Sequence, residues 1–394
     1  MREAFLTFNP GSSSLKLGLF TVDGGQPRAL AQAAIDLDKE PLVLQITQDQ
    51  KRFDVVLEKG SASLEPLIEE IVGELTQHFS LGKLIGAAHR VVHGGDQFSG
   101  PVVIDADTLA GIAALAPLAP LHQAKSIQII TAARRLWPDL PQAASFDTAF
   151  HRTQSDVVRR FALPRALFDE GVKRYGFHGL SYQSIAGQLR RMYPDLHAGR
   201  VVVAHLGSGA SLCGLEHGVS RDTSMGFSTL DGVPMATRPG AVDPGVLLYL
   251  LKERGMTLDA LEDMLYHQSG LLGASGISSD VRALVASHAT QAKETIALQT
   301  LRIAREIAAI ATTLGGLNAV VFTAGIGEHQ PDVRAAVCAH LAWLGVQLDK
   351  LANSNHATRI DTPSSKVALL VLHTDEEQVM VEEALPLLSR PKAR

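Results

Sequence analysis

The stretch Leu6–Phe20, LTFNPGSSSLKLGLF, has a counterpart half a chain away in Val202–Glu216, VVAHLGSGASLCGLE. With Gly11 set on Gly207, Ser12 falls on Ser208, Gly18 on Gly214 and Leu19 on Leu215. In both, an apolar alternating run enters a turn of tiny residues and a short apolar run leaves it, which predicts strand–turn–strand. Tiny residues leave backbone N–H groups bare at the tip, and such a tip can cradle anionic oxygens. Either turn alone reads equally well as an ordinary tight hairpin. Met twice, at nearly half the chain length, it predicts a duplicated domain with a phosphate chain between the halves.

A chain of 394 residues is long for one core, so two domains are expected. Hydrophobic content of 46% with 20% charged residues is that of a soluble globular protein. The balance of 36 basic against 41 acidic residues, a net −5, is too mild for a nucleic-acid surface. Cys213 and Cys338 are the only cysteines, so no disulfide framework is expected and a reducing cytoplasm fits. The first hairpin begins too early for a cleavable signal peptide, and no run approaches the ~20 apolar residues of a membrane span. A cytoplasmic protein with no membrane and no nucleic-acid partner is expected.

Further along, Pro41–Ile46 and Phe53–Leu57 read as β-like. Leu64, Leu67, Ile68, Ile71, Val72, Leu75 and Phe79 mark one helix face at steps of three and four. A strand over Leu84–Val92 runs into His93-Gly94-Gly95. Pro117 and Pro120 break the chain before a helix from about His122 to Trp137. Another strand leads to Ser145–His151, and Tyr175–Gly179 precedes a helix over about Ser181–Tyr193. In the second half a long helix, roughly Ala289–Leu314, feeds a strand Ala319–Thr323 and then the turn Gly325-Ile326-Gly327-Glu328. Val367–Leu372 reads as a buried strand, and Thr374 with Glu377 has the spacing of a capping box for a last helix. Strands and helices alternating around Gly loops predict an α/β protein, with domains that abut across a cleft.

No GxxxxGK[ST] occurs, and neither Gly207-Ser208-Gly209 nor Gly325-Ile326-Gly327 completes GxGxxG, which disfavours a P-loop kinase and a Rossmann dehydrogenase. Polar residues instead gather at the turns: Asn9, Lys16, Arg90, His93, His122, Asp147, His178, His205, Arg238 and Glu376. Phosphoryl transfer asks for such an inventory: cations and donors around the equatorial oxygens, a metal on the phosphates and two oxygens in line. Any single histidine here is as readily a satisfied core or surface residue. Arg90 and Arg238 carry more, because each sits among apolar or small residues beside a Gly loop, where a guanidinium needs an anion.

Eleven ordered motifs then resemble one family: NPGSSSLK (9–16), HRVVHGG (89–95), LAPLH (118–122), SFDTAFH (145–151), RYGFHGLS (174–181), AHLGSGASL (204–212), DTSMGF (222–227), TRPGAVDPG (237–245), SGLLGASGISSDVR (269–282), FTAGIGE (322–328) and TDEE (374–377). The chain closely resembles the acetate and propionate kinase family from residue 4 to about 384. The resemblance implies a duplicated actin/hexokinase/Hsp70-like (ribonuclease H-like) α/β fold, two domains flanking a central cleft. One lobe would comprise residues 1–149 plus 378–394, on the acyl and metal side, and a nucleotide lobe residues 150–377. It implies Mg²⁺ (with Mn²⁺ as a substitute), ATP/ADP, a short-chain carboxylate substrate, an acyl phosphate product and a homodimer.

Carried over by position, Asn9 and Glu376 would attend the metal. Asp147 is the family's acid/base position, and His178 and Arg238 its transition-state stabilisers. Arg90 would hold the carboxylate with His122 nearby, and Val92, Leu121 and Phe177 match the acyl pocket. Lys16, His205, Leu206, Gly207, Ser208, Gly209, Asp280, Val281, Arg282, Gly325, Ile326, Gly327, Glu328 and His329 would bind nucleotide. The acceptor carboxylate is already ionised at neutral pH, since such acids titrate near 4 to about 4.5. Asp147 is therefore better read as ordering metal-bound water or holding a cationic neighbour than as a base. Several positions depart from the family pattern: Ser208 for Asn, Gln123-Ala124 for Asn-Pro, Leu180 and Tyr182 for Thr and His, Pro239 and Ala241 beside Arg238, Thr229 for Pro, and His329 for Asn. A propionate or other short-chain carboxylate kinase is the nearest alternative. A non-catalytic actin-like ATP-binding protein, or a sugar kinase, would share the hairpins alone.

Overall fold

A computed structural model describes residues 3–11, 14–48, 51–58, 60, 64–79 and 82–389. The correspondence of Ser12 with Ser208 lies outside the described residues, as does the side chain of Leu121. The chain divides into two compact units, Met1–Phe150 with Asp375–Arg394, and His151–Thr374.

In the first unit β1 (Glu3–Pro10), β2 (Ser14–Asp23), β3 (Gln26–Asp36), β4 (Val43–Gln48), β5 (Lys51–Val56), β6 (Leu84–Val91), β7 (Val102–Val103) and β8 (Gln142–Phe146) form one sheet, ordered β5-β4-β3-β2-β1-β6-β8-β7. In the second, β9 (Arg200–Leu206), β10 (Ala210–Glu216), β11 (Val219–Thr223), β12 (Ala319–Thr323) and β13 (Ala368–Val371) are ordered β11-β10-β9-β12-β13. Each sheet has an antiparallel trio opened by a Gly hairpin, followed by two parallel strands on the other side of the hairpin's first strand. Without β4, β5 and β7 the two sheets have the same order and senses. This is the duplication expected from the repeated turn.

The helices follow their apolar spacing. α1 (Leu64–Phe79) buries Leu67, Ile68, Ile71, Val72 and Leu75 against the first sheet's core. Such a side chain contributes about 2 kcal/mol when fully buried. α2 (Ala106–Ala114), capped by Asp105, was not apparent in the sequence; it buries only Ile112, so it has no apolar stripe to read. α3 (Pro120–Leu136) starts on Pro120, which opens the helix where its missing N–H costs nothing. α4 (Gly179–Met192), α5 (Pro244–Lys252), α6 (Val281–Ala286), α7 (Thr290–Leu314) and α8 (Ala324–His329) belong to the second unit. α7 lays Ile303, Ile307, Ile310 and Leu314 into the core and ends on the left-handed Gly315. The C-terminal helix Glu376–Leu388 returns to the first unit's sheet. Among the described residues no helix is long and apolar enough to cross a membrane.

Three sequence expectations change. The hairpins are not in the same register: Thr7 pairs with Gly18, whereas Val202 pairs with Gly214. Gly11 N–H donates to the Ser14 carbonyl at 2.7 Å, and Gly207 N–H to the Gly209 carbonyl at 3.0 Å, so the second tip is tighter. With the incoming strands aligned, Gly18 therefore corresponds to Cys213, not Gly214, and a slip of one residue exchanges the faces of a strand. Both glycines nonetheless serve close packing. A Cβ on Gly18 would come within 2.6 Å of Thr7 Oγ1 and 3.0 Å of Glu377 Cβ on the C-terminal helix; one on Gly214 would come within 2.5 Å of Ile310 Cγ2 on α7.

The last helix is capped by Asp375, whose side chain accepts from Gln378 N–H, and not by Thr374, whose hydroxyl is directed to the Ser181 carbonyl. A capping box with Glu377 does not form, because Glu377 turns inward to Asn9. Finally, Gly325-Ile326-Gly327-Glu328 is not a loop between strand and helix; it is α8 itself, beginning directly after β12.

Candidate active site

In the first unit the ends of β1, β6 and β8 and the start of the C-terminal helix bring Asn9, Arg90, Asp147, Glu376 and Glu377 together. Asn9 Nδ2 donates to Glu376 Oε2 at 2.8 Å and to Glu377 Oε1 at 2.9 Å. Arg90 meets Asp147 through Nε (3.1 and 3.2 Å) and through Nη2 (2.6 Å). Its Nη1 donates to the Pro10 carbonyl at 2.8 Å and toward Asn9 Oδ1 at 3.4 Å. The fork leaves one Nη2 N–H for another acceptor. Asp147 side-chain exposure is 1% and that of Arg90 13%, so this ion pair is largely removed from water. Burial opposes the Arg90 charge most strongly, but Asp147, Glu376 and Glu377 together outweigh it and hold the guanidinium above its ordinary value. Glu377 is buried beside Glu376, and both effects push its carboxyl above the usual range.

Beside this cluster the His93-Gly94 loop is held by Gln123 and Thr148. His93 N–H donates to Gln123 Oε1, Gln123 Nε2 donates to the His93 and Ile112 carbonyls, and Gly94 N–H donates to Thr148 Oγ1. The departure at Gln123 is thus a buried strut, long enough to span loop and helix. Val92 is buried next to the loop, His122 is half-buried in the first turn of α3, and the Lys16 side chain is exposed on β2.

In the second unit the hairpin tip Gly207–Gly209 is the focus. A Cβ on Gly209 would lie 2.9 Å from Arg238 Nη2 and 3.3 Å from His178 Nε2, so glycine keeps open the point on which both nitrogens converge. The His178 ring stacks on His205, with centroids 4.2 Å apart and planes 16° apart. His178 Nδ1 meets Ser211 Oγ at 2.8 Å, and His205 Nδ1 meets Ser181 Oγ at 2.8 Å. His178 itself sits at φ 57°, left-handed, at the start of α4. The preceding Phe177 is buried, and its carbonyl accepts from His151 Nε2 at 2.9 Å. Arg238 donates from Nη1 to the Thr229 carbonyl at 2.8 Å and has no carboxylate partner among the described residues. Burial lowers its pKa to about 10, with Tyr266 working the other way. Ser208 is exposed at the tip, its carbonyl accepting from Ala236 N–H at 3.1 Å, and Leu206 is buried below it.

The remaining nucleotide positions divide. Asp280 caps α6 and pairs with Arg282 at 2.7 Å on the surface. Val281 is a core residue, packed with Leu271, Leu284, Ala292 and Val333, and Ile326 of α8 packs on the same cluster. Any part Val281 takes at a ligand is therefore through the backbone, while Ile326 is only partly buried. A Cβ on Gly325 would meet open space, while Gly327 packs on Phe322 and Ala204. Glu328 turns back into the fold: Oε1 accepts from Ala324 N–H at 2.8 Å and Oε2 meets His373 Nδ1 at 2.8 Å. His329 is largely exposed.

Sequence reasoning missed Glu377, Ser211 and Arg334. Arg334 is fully buried and donates from Nη1 to the Gly327 and Glu328 carbonyls at 2.8 and 2.9 Å, and from Nε to Asn353 Oδ1 at 2.7 Å. It fixes the end of α8. Its signal was an arginine on an otherwise apolar helix face.

Two units built on one repeated sheet, each presenting a polar cluster at its strand ends, define an actin-like ATPase fold. The sequence profile of the Acetokinase family matches residues 4–382. An acetate kinase of Rhodopseudomonas palustris (strain ATCC BAA-98 / CGA009) is 46% identical over 385 residues, 96% of each chain. One from Methylocella silvestris is 41% identical over 409 positions, 100% of each. Among solved structures, a propionate kinase from Francisella tularensis subsp. tularensis SCHU S4 has a TM-score of 0.90 at 34% identity, covering 98% of this chain and 100% of that one. Porphyromonas gingivalis acetate kinase has a TM-score of 0.88 at 32% identity, with the same coverage. The chain belongs to the Acetokinase family.

Proposed function

We propose that the protein is an acetate kinase, transferring the γ-phosphate of ATP reversibly to acetate to give acetyl phosphate and ADP. The observation that carries this reading is the convergence of Arg238 Nη2 and His178 Nε2 over Gly209. A half-buried guanidinium with no carboxylate partner among the described residues is a costly arrangement unless an anion completes it. Beside a tip of bare glycine backbone, that anion is a phosphoryl group in flight. The acetate oxygen attacks phosphorus directly and the bond to the ADP oxygen breaks; no proton need be removed, because the nucleophile is already a carboxylate. Arg238 and His178 take up the charge that spreads onto the equatorial oxygens.

In the first unit, Arg90 offers its remaining N–H to the substrate carboxylate, and Asp147 holds Arg90 in place rather than acting as a base. Val92, Leu121 and Phe177 keep, as part of the proposal, the acyl-binding role that the family resemblance implies for each of them. Asn9, Glu376 and Glu377 fit a Mg²⁺ ion: Mg²⁺ takes only one or two protein carboxylates, and the buried Glu377 carboxyl resists ionising without a cation. Bound there, the ion would neutralise phosphate charge. His205 and the tip Gly207–Gly209, with α6 and α8, are proposed to hold the nucleotide. A cytoplasmic homodimer is part of the proposal. α5, PGVLLYLLK, buries none of its residues, and Val246, Leu248 and Tyr249 stand about half exposed, an apolar face suited to a second copy.

Trapping the product with hydroxylamine tests the activity in one assay: acetohydroxamate that depends on ATP and Mg²⁺ is expected. Binding of ATP with no hydroxamate would identify a non-catalytic relative. Propionate as the preferred acceptor is the second reading, left open by Thr229 standing where the family pattern has Pro. It is distinguished by kcat/KM across acetate, propionate and butyrate, since a methylene in a fitted pocket is worth ~1–3 kcal/mol.

A further inference from the structure

Behind His178 stands a buried hydroxyl pair that the reaction above does not use. Tyr182, one turn along α4, is fully buried, and its hydroxyl lies 2.5 Å from Ser211 Oγ on β10. Ser211, equally buried, bridges in turn to His178 Nδ1 at 2.8 Å. Tyr182 is one of the positions at which the chain departs from its family's pattern.

We propose that Tyr182, acting through Ser211, is a positioning residue that locks His178 in the tautomer carrying its proton on Nε2, the nitrogen that faces the Gly209 tip. A phenol is the stronger proton donor of the two hydroxyls, so Tyr182 donates to Ser211 Oγ. Serine has one proton to give. With its oxygen accepting from Tyr182, that proton goes to His178 Nδ1. A neutral imidazole whose Nδ1 accepts must carry its hydrogen on Nε2. His178 then presents a neutral N–H beside Arg238 Nη2, and the pair bring one net positive charge to the tip. The His205 ring stacked at 4.2 Å and the hydrogen bond from Tyr182 N–H to the His178 carbonyl at 3.1 Å hold the ring and its left-handed backbone in place. The value of this device for transfer rests on the proposed function; the tautomer itself does not.

The test is long-range ¹H–¹⁵N correlation on ¹⁵N-histidine-labelled protein, with the His178 signals identified by their loss in His178→Gln. In the wild type, Nε2 is expected in the protonated range and Nδ1 in the bare range. In Tyr182→Phe, Ser211 Oγ is released to accept from Nδ1–H, and the two nitrogen shifts move toward each other. Should Tyr182→Phe not fold, Ser211→Ala, which leaves the tyrosine ring in the core, is read in the same way. A wild-type Nδ1 carrying the proton, or an unchanged spectrum in the variant, overturns the proposal. In acetyl phosphate formation Tyr182→Phe is expected to lower kcat by roughly two- to tenfold, about the worth of one neutral hydrogen bond, with both KM values held within twofold. Adding Tyr182→Phe to Ser211→Ala should cost nothing further; independent, additive losses would contradict the relay. A wild type with the expected tautomer but no acyl phosphate would refute the kinase and leave the relay standing.

Discussion

Asp147→Asn separates two accounts of the residue at the end of β8. The substitution keeps shape and one acceptor oxygen, but it removes the charge facing Arg90 and turns an amide N–H₂ toward a guanidinium that can only donate. Both members of the pair are largely withdrawn from water, with side-chain exposures of 1% and 13%. Breaking a buried pair from one side costs ~3–5 kcal/mol, because the partner's charge is left uncompensated. Glu376 and Glu377 also act on Arg90, which puts the expected loss at the lower end, about 3 kcal/mol of unfolding free energy. Urea denaturation measures it directly. Arg90→Met should lose a similar amount, and the double variant should be less damaged than the sum, with a coupling of about 2 kcal/mol. Steady-state kinetics should show the acetate KM rising in Asp147→Asn, because Arg90 is no longer aimed. An Asp147→Asn protein with unaltered stability, additive behaviour with Arg90→Met and only a changed rate–pH profile would refute the positioning account and restore a base.

Arg238→Ala should lower kcat by ~10²–10³-fold, the worth of one transition-state donor, while its urea midpoint moves little, because relief of the buried charge offsets the lost hydrogen bond to the Thr229 carbonyl. Glu377→Gln should stabilise the protein at neutral pH and leave it unchanged in acid. The carboxyl is raised on folding, so the wild type loses stability as pH climbs past the ordinary value of about 4.3. Added Mg²⁺ should narrow that gap, and a variant less stable than wild type at pH 7 would contradict the assignment. Burial lowers His89, His93 and His151 each to about 4. Histidine contributions of this sign are whole above about 6.5 and are lost as pH falls from there toward 4, so thermal unfolding should show a steep acid decline over that window. Replacing His151 with Gln should flatten part of it.

Much of the fold could be read from the sequence. The α1 stripe from Leu64 to Phe79 and the long α7 follow spacing that belongs to the chain itself, and periodic burial is a local property. The repeated Gly turns anticipated two sheets of one pattern. Where the reading slipped, competing local chemistries were evenly matched. Thr374 and Asp375 both suit a cap, and the choice fell to Asp375 because Glu377 had a tertiary partner in Asn9. The Gly18–Gly214 match was a coincidence of spacing that only the ladder register could expose.

The candidate site divides along the same line. By itself the sequence determined the duplicated architecture, the family, and which residue types stand at the strand ends, because these are properties of order and spacing. Only the tertiary structure decided which of them act on one another. It closed Asp147 on Arg90, brought Arg238 and His178 together at Gly209, turned Glu328 inward and sent Val281 to the core. It also disclosed Tyr182 behind Ser211. The physical reason is range: apolar periodicity is written within one helix or strand. A buried charge or hydroxyl takes its role from partners that can be tens or hundreds of residues away, as Asn9 does from Glu376.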